Sequence, residues 1–327
     1  MRKAYIVVAL GIAVAIVIVG ISRAKFLKSK PMDEMSGMPM IDAMSEQLAR
    51  GDYLANHVAL CLDCHTDRDF TYFSGPVVHG TEGKGGTPFG ADMALPGTFF
   101  AKNITPAAIS DWTDADLVKA LTQGINKKGE VLFPVMPYLN YRHLTQEDLG
   151  AIIAFIRTLK PIQYEVPARE PVAPIEVLVP QSPPPLAAMP TVDRSNSVEY
   201  GKYLTTVASC SDCHTPMENG RPIAGMEFAG GYPFELPGGQ VVISQNITPD
   251  VETGIGKWDR QTFITIFKAY SEAEVHRAPL AEGENNTIMP WSAYSGMTEE
   301  DLGAIYDYLR TLKPVSNKVE RFIEREM

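Results

Sequence analysis

Residues 61–65 read Cys-Leu-Asp-Cys-His, and residues 210–214 read Cys-Ser-Asp-Cys-His. These two copies of Cys-x-x-Cys-His contain all 4 cysteines of the chain. The pattern is typical of covalent attachment of a c-type haem. Two thiols one helical turn apart can each form a thioether to a haem vinyl group, and the adjacent imidazole can ligate the iron. We therefore expect two covalently attached haem c groups, one at each copy.

Two other uses of paired cysteines compete with haem attachment. A zinc ribbon would use both pairs, but they lie about 146 residues apart, against roughly 15 to 20 in that kind of site. It would also leave the two histidines without a role. A thioredoxin-like dithiol follows a β-strand in a βαβ pattern, and neither copy follows an apolar strand-like run. Haem attachment accounts for the cysteines and the histidines together.

The composition is that of a globular chain with an acidic body. The 327 residues are 45% hydrophobic and 21% charged, and this length predicts about two domains. The formal net charge is −10, although the first 30 residues contain six basic residues and no acid. An acidic body argues against nucleic acid as a partner and favours docking on basic protein surfaces.

The N-terminus contains a run of 19 residues without a charge, at positions 4–22. Such a run is just long enough to cross roughly 30 Å of hydrocarbon as a helix. A cleaved signal peptide, the alternative, would have an apolar region of about 7 to 15 residues and a small-x-small cleavage site. Here the best candidate site, residues 22–24, contains Arg23. We therefore predict that residues 1–30 form a membrane anchor with basic flanks, and that the protein is a single-pass protein of the cytoplasmic membrane.

A long internal repeat surrounds the two Cys-x-x-Cys-His motifs. Gly-x-Tyr-Leu precedes both motifs, Asn-Ile-Thr-Pro follows both, and both copies close on Asp-Leu-Gly-Ala-Ile and Arg-Thr-Leu-Lys-Pro. The repeat predicts tandem domains at residues 45–161 and 195–316. The remaining segments are a tether at 31–44, a linker at 162–194 and a C-terminal tail at 317–327.

The segments between these parts are predicted from composition. The tether holds five methionines among Pro, Ser, Gly and acids, which indicates a flexible segment, with binding of a soft metal such as Cu(I) as the alternative. Residues 161–194 contain nine prolines, which predicts an extended, semi-rigid linker.

Each copy is predicted to be mainly α-helical. Ser45 is expected to cap a helix that runs into the first motif. The stretches Thr145-Gln-Glu-Asp148 and Thr298-Glu-Glu-Asp301 resemble capping boxes with Asp in place of Glu. The helices that they start carry an apolar face and end before Lys-Pro. The Gly- and Pro-rich stretches between the helices are predicted to be loops folded around the cofactor.

Met136 and Met289 are the candidates for the sixth coordination position of the two irons. Each precedes a proline and an aromatic residue at matching places in the repeat, and from there to the closing proline the offset between the copies is constant at 153 residues. A thioether ligand raises the reduction potential and closes the iron to substrates. The alternative is that both methionines only fill the core.

With these residues the chain resembles the class I type cytochrome c domains of the multihaem cytochrome subunits that serve membrane-bound bacterial alcohol, gluconate and aldehyde dehydrogenases. The resemblance covers about residues 45–315 and implies two tandem class I cytochrome c domains, here preceded by the predicted transmembrane helix. It implies that the haem-binding residues are Cys61, Cys64, His65 and Met136 in the first domain and Cys210, Cys213, His214 and Met289 in the second. The iron ligands among them are His65, Met136, His214 and Met289.

The same resemblance implies an electron-transfer protein and not an enzyme, with its haem domains in the periplasm. Single electrons would pass from a dehydrogenase or quinol-oxidising donor to a terminal oxidase or small cytochrome. A dihaem peroxidase is one alternative, but one of its irons must lack or lose the sixth ligand, and the paired methionines argue against that. A haem subunit of a larger respiratory complex is the other. The chain departs from the family in having two haem motifs where many subunits have three.

Overall fold

The computed structural model describes residues 40–179, 181–218, 220–236 and 239–323. The chain divides into two units, Met1–Ser45 and Glu46–Met327. In the first unit only the start of a helix, from Met40, is described. The second unit contains both motif copies, which therefore belong to one compact body.

The second unit is largely helical, as predicted. In chain order the helices are α1 Met40–Tyr53, α2 Cys61–His65, α3 Pro106–Ile109, α4 Asp114–Gln123, α5 Tyr138–Tyr141, α6 Gln146–Ile156, α7 Ile175–Leu178, α8 Ser197–Val207, α9 Cys210–His214, α10 Arg260–Lys268, α11 Glu272–Val275, α12 Trp291–Tyr294 and α13 Glu299–Leu309. A π-helical turn, Leu54–Val58, continues α1, and a 3-10 turn covers Ala91–Met93. Because α1 begins at Met40, Ser45 lies inside it and does not cap it.

Short antiparallel strands complete the fold. They are β1 Pro88–Phe89, β2 Gly97–Phe100, β3 Glu170–Pro171, β4 Met217–Glu218, β5 Arg221–Pro222, β6 Pro233–Glu235, β7 Val241–Ile243 and β8 Phe322–Ile323. They form sheets in the orders β1-β2-β3, β4-β5 and β6-β7-β8. In the last sheet Val241 pairs with Ile323, so the predicted tail contributes a strand.

The proline-rich segment packs against the first half of the unit. Its strand β3 pairs with β2, with Gly97 opposite Pro171. Ile175 and Val179 are buried in a small cluster with Phe99. The segment that the sequence predicts as an extended linker is therefore partly held by apolar contacts and strand pairing.

The two halves place equivalent helices in the same order. Helices α1 and α8 precede the motif helices α2 and α9, and α6 and α13 close the halves. A Cβ added at Gly51 would overlap the carbonyl of Ala151, and one at Gly201 would overlap the carbonyl of Ala304. The glycine of Gly-x-Tyr-Leu therefore allows the first helix of each half to cross the last helix at backbone contact.

The helix starts at Thr145 and Thr298 are only partly as predicted. Each threonine hydroxyl accepts a hydrogen bond from the backbone N–H three residues later, at 3.2 Å from Asp148 and 3.1 Å from Asp301. The two carboxylates do not complete capping boxes, because they are bound by tyrosines of the opposite half. The Tyr203 hydroxyl donates to Asp148 at 2.6 Å, and the Tyr53 hydroxyl donates to Asp301 at 2.7 Å.

No helix within the described ranges is long and apolar enough to cross a membrane. The longest of them, α1, has 14 residues and spans about 21 Å, short of the roughly 30 Å of a hydrocarbon core. This finding contradicts the predicted location as a single-pass protein of the cytoplasmic membrane with periplasmic haem domains, and that prediction is withdrawn. The run at residues 4–22, on which it rested, lies outside the described residues.

Candidate haem-binding sites

Each Cys-x-x-Cys-His motif forms one short helix with its histidine at the C-terminal end. Helix α2 is Cys61–His65 and helix α9 is Cys210–His214. Each follows a residue in the left-handed region, Leu60 with φ 54° and Ser209 with φ 57°, which ends the preceding helix and starts a new one. The two thiols of each motif therefore lie one helical turn apart, as attachment to two vinyl groups requires.

The first histidine is held by a backbone carbonyl. His65 Nδ1 lies 2.5 Å from the carbonyl oxygen of Lys102. A carbonyl only accepts, so Nδ1 carries the proton and the lone pair of Nε2 is free to ligate iron. Burial lowers the pKa of His65, although the bond to Lys102 opposes it, and the neutral ligand form is favoured.

The second histidine has the same environment. His214 Nδ1 lies 2.6 Å from the carbonyl oxygen of Gln245, and burial again lowers the pKa of the imidazole. The backbone carbonyls of the histidines are also fixed alike, because Gly85 N–H donates to His65 at 2.8 Å and Gly230 N–H donates to His214 at 2.7 Å. Both imidazoles are therefore oriented as metal-ligating histidines commonly are.

The Asn-Ile-Thr-Pro segments order the loops that supply these carbonyls. Asn103 Oδ1 accepts from the N–H of Thr105 at 2.9 Å and from its hydroxyl at 2.7 Å. Asn246 does the same with Thr248 at 2.9 and 2.8 Å. Lys102 and Gln245 directly precede these asparagines, so the repeated segment fixes the acceptor of each histidine bond.

Met136 and Met289 lie in segments that are tied to the motif helix of the same half. Both side chains are partly buried and pack against the main core. The Tyr141 hydroxyl, five residues after Met136, donates to the carbonyl of Ala59 at 2.5 Å. The Tyr294 hydroxyl, five residues after Met289, donates to the carbonyl of Ala208 at 2.8 Å. Each accepting carbonyl lies two residues before the first cysteine, so the structure brings histidine and methionine segments together in both halves.

The cysteines do not have the properties of a thiolate site. Desolvation raises the pKa of all four thiols, Cys61, Cys64, Cys210 and Cys213, to about 12. Thiols that act in redox exchange have lowered pKa values. In the part of the chain that the structure describes, no three His, Cys, Asp or Glu side chains are grouped so that they could hold a metal ion. The donor set fits covalent attachment of a c-type haem.

The two motifs lie close to the contact between the halves. Asn140 in α5 donates to the Asp212 carboxylate of the second motif at 2.8 Å and to the hydroxyl of Ser209 at 2.9 Å. The segment after the first methionine therefore contacts the second motif helix.

Several residues of these sites were not predicted from the sequence. The carbonyls of Lys102 and Gln245 cannot be recognised from side-chain type, because the backbone makes the bond. Tyr141 and Tyr294 could have been found, since they recur at a constant distance from the methionines.

The class of protein follows from comparison with known families. Residues 198–313 match the model of the cytochrome c family. This region contains α9, the second histidine with its carbonyl partner, and Met289. It is a cytochrome c domain, and the presence of covalently bound haem c follows from that assignment.

Several similar proteins are named as cytochrome subunits of dehydrogenases. The cytochrome c subunit of the quinone alcohol dehydrogenase of Gluconacetobacter polyoxogenes is 28% identical over 291 residues, covering 84% of this chain and 58% of the relative. The fructose dehydrogenase cytochrome subunit of Gluconobacter japonicus is 29% identical over 282 residues, covering 81% and 52%. A dihaem c-type cytochrome of Cereibacter sphaeroides is 30% identical over 165 residues, covering 48% and 53%.

The chain thus spans little more than half the length of these relatives. Homology to cytochrome c subunits of dehydrogenases confirms the class to which the sequence was assigned. Such subunits are electron-transfer components, which agrees with the prediction of an electron-transfer protein and not an enzyme.

Proposed function

We propose that the chain is a dihaem c-type cytochrome that passes single electrons through two haem domains. The observation that carries this proposal is the duplicated histidine environment, with Nδ1 of His65 and of His214 each bonded to the carbonyl that precedes an Asn-Ile-Thr-Pro segment. A thiol pair and an oriented histidine in each half are the parts that one covalent haem requires. The domains are those at residues 45–161 and 195–316.

The residues of each half have distinct tasks. Cys61 and Cys64 would attach the first haem through thioether bonds, and His65 and Met136 would ligate its iron. Cys210, Cys213, His214 and Met289 take the same roles in the second half. The haem supplies an iron that alternates between the ferric and ferrous states. With a histidine and a methionine bound to each iron, no coordination position would be left for a substrate, and electron transfer would be favoured.

Electrons would pass between the two haems inside one compact unit. The halves share one hydrophobic core cluster, and the reciprocal Tyr53–Asp301 and Tyr203–Asp148 bonds join them. A fixed spacing between the haems avoids the need for domain movement at each transfer. This supports a two-step relay.

The external partners are proposed from the relatives. Those relatives are named as subunits of quinone alcohol dehydrogenase, fructose dehydrogenase and gluconate 2-dehydrogenase. We infer a dehydrogenase or quinol-oxidising protein as the donor and an oxidase or small cytochrome as the acceptor. The net charge of −10 favours partners with basic docking surfaces and rates that fall at high salt.

The proposal is tested on the haem-loaded full chain. Anaerobic titration with a one-electron reductant should reduce two haems per chain. The ferric protein should show the near-infrared charge-transfer band of methionine-ligated haem, and it should not turn over hydrogen peroxide. Uptake of one electron per chain would contradict the relay, and rapid turnover of peroxide would contradict it and favour the peroxidase.

A further inference from the structure

Ser74 of the first half bonds directly to the backbone of the methionine segment of the second half. Ser74 is fully buried. Its hydroxyl donates to the carbonyl of Met289 at 2.6 Å and accepts from the N–H of Trp291 at 2.9 Å. Pro290 between these residues has no N–H. One side chain from the other half therefore binds both polar backbone groups that flank Pro290.

Ser74 is itself held in an uncommon backbone conformation. Its φ is 67°, in the left-handed region that non-glycine residues seldom adopt. Its N–H donates to Asn286 Oδ1 at 2.8 Å. Its carbonyl accepts from Arg68 Nη2 at 2.5 Å. Such a conformation is strained and persists where the surroundings impose it, often at functional sites.

The residue that holds Ser74 belongs to the surroundings of the first motif. Arg68 also binds the carbonyl of Gly75 at 2.7 Å and forms an ion pair with Asp63 at 3.1 Å. Asp63 lies between the two cysteines of the first Cys-x-x-Cys-His. A continuous chain of bonds thus runs from the first motif through Arg68 and Ser74 to the backbone of Met289.

The first half has no equivalent of this contact. The local bond is common to both halves, since the Met136 carbonyl accepts from Tyr138 N–H and the Met289 carbonyl accepts from Trp291 N–H, each at 2.8 Å. The bonds to Ser74 are additional to it in the second half. Among the residues described by the structure, no side chain of the second half bonds to the backbone of Met136. Ser74 lies in the part of the first copy that is longer than the second, so the repeat contains no matching serine.

We propose that Ser74 is a positioning residue for Met289, so that the first domain holds the sixth ligand of the second haem in place. The inference rests on the proposed function, since it requires a haem in the second half and Met289 as its ligand. Without the hydroxyl, the backbone around Pro290 loses these two bonds to the opposite half, and the Met289 side chain is held less firmly in position. The second haem should then open to external ligands while the first remains closed.

The decisive variant is Ser74→Gly. Glycine adopts a positive φ without the steric cost that serine bears, so this change removes the hydroxyl and relieves the backbone strain. A residue with only a structural role would give a folded protein with unchanged haem spectra. Ser74→Ala removes the same hydroxyl while keeping a Cβ, and Ser295→Ala is the matched control. The Ser295 hydroxyl is also in a buried residue and donates to the carbonyl of Ser292 at 2.7 Å, without contact to Met289.

The readouts are spectroscopic and potentiometric, on haem-loaded full-length protein. In both Ser74 variants the near-infrared methionine band should fall to about half, because one haem of two loses its thioether. Carbon monoxide should bind to one haem per ferrous chain. The reduction potential of that haem should fall by at least about 59 mV, which corresponds to a tenfold change in the one-electron equilibrium constant.

The outcomes separate this inference from the proposed function. An unchanged band and no carbon monoxide binding in Ser74→Gly with both haems attached would overturn the positioning role. Loss of the band in Ser295→Ala to the same extent would also overturn it. A wild-type protein with one haem, or without the methionine band, would instead refute the proposed function itself.

Discussion

Tyr53 and Tyr203 occupy the same place in the repeat, but we expect the loss of their hydroxyl groups to destabilise the protein to different extents. The Asp301 carboxylate is bound by the Tyr53 hydroxyl at 2.7 Å, and among the described residues its one other side-chain partner is the Tyr200 hydroxyl, at 3.5 Å. Asp148 is bound by Tyr203 at 2.6 Å but also by three guanidinium bonds at 2.9 Å, two from Arg50 and one from Arg194. Tyr53→Phe therefore leaves a carboxylate almost without partners, whereas Tyr203→Phe does not.

The magnitudes follow from this difference. A hydrogen bond to a charged group contributes about 1.5–3 kcal/mol, and a buried polar group left unsatisfied costs a similar amount. Tyr53→Phe should therefore lower the free energy of unfolding by about 2–3 kcal/mol. Tyr203→Phe should lower it by about 1 kcal/mol, because the guanidinium groups still satisfy the Asp148 oxygens.

The assay is urea unfolding of the haem-loaded protein at neutral pH, followed by helical circular dichroism and by haem absorbance. The slope of each transition should be unchanged, so that the shift in midpoint reports stability. Equal losses for the two variants, or a larger loss for Tyr203→Phe, would refute the assignment of Asp301 as the more dependent carboxylate.

Three further predictions concern single side chains. Burial raises the pKa of Asp148, but the hydrogen bond and charge of Arg50 outweigh it, and the net pKa is lowered. Stability should therefore be lost as the pH falls below about 4 toward that lower pKa. In Asp148→Asn the midpoint of urea unfolding should depend less on pH over the same range. Tyr294→Phe removes the 2.8 Å bond to the Ala208 carbonyl and should cost about 1–3 kcal/mol by the same unfolding assay; no measurable cost would contradict a role in fixing the Met289 segment. Lys102→Gln keeps the backbone carbonyl that binds His65 and removes only a positive charge. Potentiometric titration should therefore show one of the two haem potentials lowered, by no more than about 59 mV. Two unchanged potentials would contradict this prediction.

The sequence was informative where the structure is local. The two Cys-x-x-Cys-His motifs predict the short helices α2 and α9, and the threonines at 145 and 298 predict the starts of α6 and α13. These features depend on residues within one or two turns of each other. The repeat also grouped each histidine with one methionine segment, and the tyrosine bonds to the motif helix connect those same segments.

The contacts between the halves could not be predicted from local sequence patterns. Asp148 and Asp301 have the pattern of capping residues, yet their carboxylates bind tyrosines across the interface. Ser74 lies in a stretch that is longer in the first copy and matches no serine of the second copy, so neither recurrence nor periodicity marks it. The tertiary fold decides these partners, because they are more than 50 residues apart in sequence.

The most direct test of the central claim is intact mass and haem-peptide mapping of the protein produced with haem maturation. The account predicts two covalent haems on the wild type, one on each motif peptide. The double variants Cys61→Ala with Cys64→Ala and Cys210→Ala with Cys213→Ala should each retain one. A wild-type chain with a single haem, or with none, would contradict the account.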